Sequence, residues 1–518
     1  MRIGIDVGGT NTDAVLMNGS RVVREHKEPT TLDVTTGVTS SLQAALCNSG
    51  VPTSQIDGVM IGTTHFTNAF VERDRLMEVA AIRLGLPATE CLPPMVDWPA
   101  DLKEAVGNHA YLCHGGNEFN GRPISPLDER EIRCVAQDME DKGLKSAAIS
   151  SVFSPVDPDM ENRAAAILKA EMPDITISLS HEIGRIGLLE RENAAIMNAS
   201  LRELAHKIIG SFRDALMEMD IDAPFFISQN DGTLMSAELA ERYPVLTFAS
   251  GPTNSMRGAA FLSGIKDAVV VDLGGTTTDV GMLLHGFPRE ASGAMEVGGV
   301  RTNFRMPDVY SVGLGGGSIV SHNPLKIGPR SVGYELTRQG MVFGGPVLTA
   351  TDVAVAGGLA SIGEKQAIES LDSSLIEDSL TAIQTIVDNA VDRMRTSAKP
   401  IPVILVGGGS ILVSKPVQGA SEIIKPDHFA VANAVGAAIA QVGGEIDRVF
   451  SMKNMSRNEA LDQAKQEARD KAIEAGAKPE TVEIVDIEEV PLTYLPSNAT
   501  RVRVKAVGDL ALSYTSAS

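Results

Sequence analysis

Aromatic side chains are scarce in this 518-residue chain: Phe, Tyr and Trp together make up 4%, and Trp98 is the only tryptophan. Its interiors must therefore be filled by aliphatic and small residues. Cysteine is equally thin. Cys47, Cys91, Cys113 and Cys134 all lie towards the N-terminal end of the chain with no CxxC pair, so neither a dense disulfide scaffold nor a cysteine zinc site is expected. Basic residues are outnumbered, 45 against 66 acidic, for a net charge of −21. So acidic a chain repels phosphate backbones, and nucleic acid is not an expected partner. No uninterrupted apolar run reaches the roughly 18 residues of a membrane span, and no signal-peptide pattern opens the chain. The expectation is a cytoplasmic protein with no membrane partner.

Glycine, by contrast, is abundant at 49 residues, and 43% of the chain is hydrophobic. That balance suits an α/β protein with many tight turns, and the length implies two or three domains. The organising stretch is Arg2 to Leu16, RIGIDVGGTNTDAVL, which reads as a β-hairpin turning at Gly8-Gly9-Thr10-Asn11. Such glycines let backbone N–H groups approach phosphate oxygens, and the Thr10 and Thr12 hydroxyls add donors. Asp6 in the first strand is placed to hold a divalent cation through water. Alone, the stretch reads equally well as a plain tight hairpin. A repeat decides between these readings: residues 269 to 283, VVVDLGGTTTDVGML, return Asp6, Gly8, Gly9, Thr10, Thr12 and Asp13 as Asp272, Gly274, Gly275, Thr276, Thr278 and Asp279. Two phosphate-type hairpins imply two related lobes facing each other across a nucleotide.

Between and beyond the hairpins the periodicity predicts a helix over 35–48 and a strand over 58–62 running into TTHFTNAF. The polar cluster Thr63, Thr64, Thr67 and Asn68 reads either as a ligand site at a strand end or as a helix cap; His65 reads as structural. Residues 91–126, rich in Pro, Gly and Asn, read as an irregular inserted segment, and His114 with Glu118 lacks a third metal ligand. Helices are expected over 127–143, 159–172 and 188–219, with strands over 146–153 and 175–179. The small residues of 194–199 suit a hinge against the small-sided helix 430–443. A helix opening at Ser250-Gly251-Pro252 offers its N-terminus to an anion. The run 311–319 forms a Gly-rich loop, and the apolar strand into Gly407, Gly408, Gly409 and Ser410 suits a planar ligand. Residues 446–518, a capped charged helix and two strands over 481–494 and 501–507, read as an appended subdomain, the helix face solvated.

The order of these pieces resembles the superfamily of two-lobed ATPases that includes actin, heat-shock chaperones and sugar kinases. Within it, IGIDVGGTNTDAVL, IGTTHFTNAF, SQNDGTLMSAELAERYPVLTFASGP, VVVDLGGTTTDVGML, SVGLGGGSI and VPLTYLPSNATRVRVKAVGDL resemble the hydantoinase/oxoprolinase family. The resemblance implies an α/β fold of two duplicated ribonuclease-H-like lobes around an ATP cleft, with inserted and C-terminal α+β subdomains. The expected divisions are 1–245, 246–445 and 446–518. It implies ATP and Mg²⁺, with Gly8, Gly9, Thr10, Asn11 and Thr12 and Gly274, Gly275, Thr276, Thr277 and Thr278 cradling phosphates. Asp6 and Asp272 would organise the metal, and Asp13 and Asp279 would support it or act as base. Gly407 to Ser410 would line the adenosine. Thr63, Thr64, Asn68, Gly315, Gly316, Gly317 and Ser318 would face the acyl acceptor.

The activity so implied is ATP-dependent opening of a cyclic amide (a hydantoin, 5-oxoproline or another lactam) through phosphorylation of the amide oxygen. A subunit of a ketone carboxylase, an actin- or chaperone-like switch and a small-molecule kinase are the alternatives. His65-Phe66 is bulkier than in many relatives of this kind, and the chain ends soon after VKAVGDL. The first departure implies a different substrate preference. The second leaves two readings open, a second hydrolytic subunit or a different module within an enzyme that does the whole reaction, and an oligomer is expected.

Overall fold

The computed structural model describes residues 1–30, 34–47, 49–450, 452, 455–492 and 499–512. Its first sheet begins with β1 (Arg2–Val7), β2 (Asn11–Asn18) and β3 (Arg21–Pro29), an antiparallel meander. β4 (Gly58–Thr63) lies parallel to β1 on its other side. Both β1 and β4 are apolar and buried along nearly their whole length, as strands covered on both faces must be. The chain then leaves to build a separate parallel sheet from β5 (Ala80–Leu86), β6 (His109–His114), β7 (Ser146–Ser151) and β8 (Thr176–Leu179), ordered β6-β5-β7-β8. It rejoins the first sheet at β9 (Phe225–Ser228), parallel to β4, and β10 (Thr233–Ser236).

The second sheet opens with the hairpin β11 (Ala268–Leu273) and β12 (Thr278–Leu284), followed by β13 (Phe287–Pro288). An arm carries the hairpin of β14 (Met295–Val297) and β15 (Val300–Thr302), and β16 (Val309–Val312) returns beside β12. A further hairpin joins β17 (Ser318–Ser321) to β18 (Lys326–Ser331). β19 (Ile401–Val406) is parallel to β11, and β20 (Ala420–Ile424) is parallel to β19. The orders β3-β2-β1-β4-β9 and β13-β12-β11-β19-β20 match in sequence and in sense. This is the duplicated plan that the repeated hairpin implies.

Four expectations are corrected. The stretch 91–126 is not irregular throughout: it supplies the helix Ala100–Ala105 and β6, an edge strand, and Trp98 is buried with Nε1 donating to Asn193 Oδ1 at 2.7 Å. The long helix expected over 188–219 breaks at Leu201 into Leu188–Ser200 and Arg202–Glu218. Its small-sided segment packs on β7 and β15 and not on another crossover helix. That role falls to the helix Ser250–Ser263, which packs against Ala432–Ile439.

The tail, finally, is no separate sheet. β21 (Gln441–Phe450) pairs with β10, β22 (Glu483–Pro491) and β23 (Thr500–Gly508) follow, and the first sheet reaches nine strands. The helix Arg457–Glu474 buries Ala460, Ala464, Ala468 and Ala472, one stripe at every fourth residue, and exposes its charges. Tyr494 and Asn48, at the ends of two expected elements, lie outside the described residues. Among those described, no helix is long and apolar enough to cross a membrane.

Helices Ser250–Ser263 and Ala432–Ile439 carry the chain from the first sheet to the second and back, and they touch at backbone distance. A Cβ on Gly436 would sit 1.8 Å from the Asn254 carbonyl oxygen, and one on Gly258 the same 1.8 Å from that of Ala432. We therefore expect Gly436→Ala to destabilise the protein by about 2 kcal/mol or more, since overpacking here meets backbone and not a movable side chain. Chemical denaturation checks this; an unchanged midpoint would contradict the contact.

Candidate active site

The two repeated turns close in the same way and meet. Gly8 N–H donates to Asn11 O at 3.0 Å, and Gly274 N–H to Thr277 O at 2.9 Å. The Thr10 and Thr276 hydroxyl oxygens stand 3.4 Å apart across the lobes. Around this junction lies a cavity of about 400 Å³ lined by both turns and by Asp6, Asp13, Asp272, Asp279 and Lys27. Gly251, Pro252 and Ser255 from the first two turns of the helix Ser250–Ser263, Gly407 to Gly409, and Asn433 complete its polar wall. Leu336, Phe343, Ile362 and Ile411 form an apolar end.

The carboxylates are placed symmetrically. Asp6 faces Asp13 across the first hairpin, and Asp272 faces Asp279 across the second. In each lobe the strand parallel to the inner one, β4 or β19, brings a glycine beside the inner aspartate. A Cβ on Gly62 would fall 2.2 Å from Asp6 Oδ1, and one on Gly407, whose φ is +80°, 2.3 Å from Asp272 Oδ1. Asp6 accepts from Asn254 Nδ2 and Asn433 Nδ2, each at 3.0 Å, and the Asn433 amide also reaches Asp13 Oδ2 at 2.8 Å. Lys27 Nζ donates to both Asp13 oxygens, at 2.6 and 2.8 Å. Burial nonetheless pushes the Asp6 carboxyl up to about 6, the asparagine bonds opposing and the Asp13 charge adding. Burial likewise raises Asp279 to about 6 against its bond from Ser311 Oγ, and raises Asp13 and Asp272. Lys27 thus holds Asp13 in a bidentate ion pair.

Of the expected phosphate residues, Gly8, Gly9, Thr10, Asn11, Gly274, Gly275, Thr276 and Thr277 line the cavity. Thr12 and Thr278 do not. Their side chains point into the fold, where Thr12 Oγ1 lies 3.2 Å from Thr30 Oγ1 and Thr278 Oγ1 donates to Leu314 O at 2.7 Å. Gly407, Gly408 and Gly409 border the cavity, while Ser410 is buried behind them. Thr64 lines the cleft, and Asn68 sits exposed near it, Nδ2 3.5 Å from Thr64 Oγ1. Thr63 is buried, with Oγ1 2.6 Å from His65 Nδ1. Burial holds His65 down at about 4.

The loop from Gly315 to Ser318 is corrected most. Gly316 N–H and Gly317 N–H donate to Gly274 O and Gly275 O at 3.1 and 2.7 Å, and Ser318 Oγ accepts from Gly315 N–H at 2.8 Å. A Cβ on Gly315 would meet Thr276 N at 2.5 Å. These residues buttress the second turn from behind, and only Gly316 reaches the cavity. His114 pairs with Glu131 at 2.7 Å, and Glu118 with Arg122 at 2.7 Å, so they are not a metal pair. Among the described residues no three or more His, Cys, Asp or Glu side chains group to ligate a metal ion directly, so a cation here would be held through water. Sequence reasoning missed Lys27, Asn254, Ser255, Asn433 and the apolar end. The lone asparagine in AVANAVGAAIA was the available signal: an amide in an otherwise apolar helix needs a buried partner.

Turn amides and a helix N-terminus at one end suit phosphate oxygens, hard carboxylate oxygens suit a hydrated divalent cation, and the apolar end suits a planar ring. Asp279 yields a prediction. Its carboxyl is raised from 3.8 to about 6, so the native state binds its proton more tightly than the unfolded chain, and stability falls as pH rises from about 4 through 6. The full shift is worth about 3 kcal/mol. Asp279→Asn, which keeps an acceptor for Ser311, should therefore stabilise the ligand-free, metal-free protein by about 1–3 kcal/mol at pH 7.5 and not at pH 4. Denaturation at the two pH values measures this, and equal effects at both would refute it.

The hydantoinase/oxoprolinase N-terminal region matches residues 2–172, and the hydantoinase/oxoprolinase region matches residues 191–384. The acetophenone carboxylase gamma subunit of Aromatoleum aromaticum is 28% identical over 68% of this chain and 52% of its own length. The caprolactamase subunit alpha of Pseudomonas jessenii is 28% identical over 73% and 58% respectively. The chain thus matches little more than half the length of these relatives. Among solved structures, the ATP-dependent caprolactamase from Pseudomonas jessenii superposes with a TM-score of 0.76 at 20% identity, covering 98% of this chain and 87% of that one. Nucleotide-free acetone carboxylase gives 0.70 at 17% identity, covering 98% and 88%. At these identities the likeness is one of fold.

Proposed function

The chain belongs to the hydantoinase/oxoprolinase family, and on that premise we propose that it is the ATP-binding part of an enzyme that phosphorylates the oxygen of a cyclic amide. The carrying observation is the meeting of two identical Gly-Gly-Thr turns over four aspartates in one cavity. In this reading the triphosphate lies along Gly8–Asn11 and Gly274–Thr277, with Gly251 and Pro252 adding a helix N-terminus. The base lies over Gly407–Gly409 against Phe343 and Ile411. Four desolvated carboxylates face one lysine among the described lining residues, an anionic excess that Mg²⁺ would offset. Asp6 and Asp272 would hold that ion through water, and its charge would neutralise the phosphates during transfer.

The chemistry follows from the acceptor. An unstrained lactam has a poor leaving group in its nitrogen. Transfer of the terminal phosphoryl to the amide oxygen forms a P–O bond as the bond to ADP breaks, and leaves a carbon that water attacks. The C–N bond then opens as the nitrogen takes up a proton, and a second water hydrolyses the resulting acyl phosphate to carboxylate and free phosphate. Positioning and charge neutralisation supply most of the acceleration. Two sequence relatives are named as subunits, so we assign the hydrolytic half to a second subunit and read the enzyme as an oligomer. We describe 1–245 and 246–445 as the two lobes, with 446–518 completing the first sheet. The four unpaired cysteines fit a reducing, cytoplasmic setting. A second reading, a subunit of a ketone carboxylase, has in its favour the 28% identity to the acetophenone carboxylase gamma subunit.

ATP turnover with a panel of lactams, hydantoins and ketones, with and without bicarbonate, separates the two. Lactam-stimulated turnover independent of bicarbonate is the expected result; strict bicarbonate dependence moves the assignment to the carboxylase. Asp6→Ala and Asp272→Ala should each lower turnover at least about a hundredfold, the usual cost of losing a charge-stabilising group, while circular dichroism remains native. Near-normal turnover in both would remove the two-turn site.

A further inference from the structure

Lys27 stands out because nothing in the proposed reaction has yet used it. It lies on β3, directly opposite Asp13 in the strand register, and its side chain reaches back across the hairpin into the cleft. It is the only cationic side chain among the described residues that line the cavity, against four aspartates. Its head makes a bidentate contact with Asp13 and a longer one, 3.3 Å, with Ala430 O. Asp13 is 3% exposed while the lysine keeps 35% of its side chain exposed, so the pair has a fixed end and an accessible one.

Electrostatics says what such a lysine is for. A nucleoside triphosphate brings about four negative charges into a cavity that already buries carboxylates, and a single divalent ion offsets only half of them. Desolvated like charges repel strongly. The turn amides supply partial charges. A full protein charge at the phosphate end comes from Lys27 alone among the described lining residues. Asp13 and the Ala430 carbonyl hold the ammonium one residue beyond the Thr12 end of the first turn, and an ammonium has three rotatable donors to divide among partners.

We propose that Lys27 is the phosphate-contacting cation of this cleft: it bridges Asp13 to the terminal phosphate of a bound nucleoside triphosphate and so distinguishes triphosphate from diphosphate. This rests on the reading of the cavity as an ATP site. Asp13 then serves to aim the lysine, and Asn433, shared between Asp13 and Asp6, ties that aim to the neighbouring carboxylate.

The test is equilibrium binding of ADP and of a non-hydrolysable ATP analogue, each with Mg²⁺, to the full chain and its variants. Wild type should bind both, the analogue more tightly. Lys27→Met should lose roughly 10- to 100-fold in affinity for the analogue, as expected for one charge-assisted hydrogen bond, and less than about threefold for ADP. Lys27→Arg should recover part of the preference. If the lysine merely neutralised Asp13, the double variant Asp13→Asn with Lys27→Met would restore analogue binding; in our account it does not. Equal losses for both ligands, or restoration in the double variant, overturn the inference and leave the ATP site standing. Failure of wild type to bind either nucleotide overturns the site itself. Circular dichroism and the denaturation midpoint of each variant accompany the titrations, so that a loss through unfolding is identified as one.

Discussion

The geometry of the cleft depends on one backbone contact. Helices Ser250–Ser263 and Ala432–Ile439 are the chain's two crossings between lobes, and Gly258 and Gly436 let them touch without intervening side chains. Ordinary helix pairs stand 8–10 Å apart, according to the side chains between them. Here the contact is set by backbone, and it delivers Asn254 and Asn433 to opposite oxygens of Asp6 at 3.0 Å each. Useful hydrogen bonds span only about half an ångström. A bulkier residue at either glycine would therefore misplace the amides that hold the carboxylate, and with it the junction of Thr10 and Thr276.

A second region ties the same lobes together by charge. The arm that leaves the second sheet after β13 carries Glu290 and Arg305 to the first sheet, where they meet Asp231, Glu445, Arg503 and Lys505, while Arg185 arrives from the segment between β8 and β9. Burial alone would raise Asp231, but Lys505 and Arg305 hold it well below the usual carboxylate range. Glu445 is pushed the other way, up to about 7, chiefly by burial. Buried ion pairs add little net stability, yet breaking one strands a charge. Such a junction disfavours wrong packings of arm, tail and sheet.

How far the sequence was legible follows from the range of each signal. The paired hairpins, the strand into Gly407 and the capping box at Ser456 are local patterns, readable because backbone chemistry dictates them. The placement of Gly315–Ser318 was not, since a glycine loop that touches a ligand and one that touches another backbone are the same string. Thr12 and Thr278 show a similar limit: both follow a phosphate turn, but the strand pleat points them inward. Composition misled over 91–126, where Pro and Gly concealed β6, an edge strand whose pairing is entirely with β5. The tail misled for the opposite reason. Its helix and strands look self-sufficient, and only long-range pairing with β10 assigns them to the first sheet. Lys27 was invisible because its meaning lies in cross-strand register with Asp13.

The raised carboxyls set this cluster apart from the ion-paired junction of arm and tail. A fold optimised for its own stability would neutralise Asp6, Asp272 and Asp279 with cations or leave them in water. Instead amides and hydroxyls hold them in place and leave them uncompensated, at a cost of the order of 3 kcal/mol for a carboxyl held near 6. A cation held between them would recover part of that cost, and its binding would then add to the stability of the folded chain. Neutral donors orient a carboxylate without consuming its charge, and that is the arrangement a cleft needs if the charge is to act on a ligand.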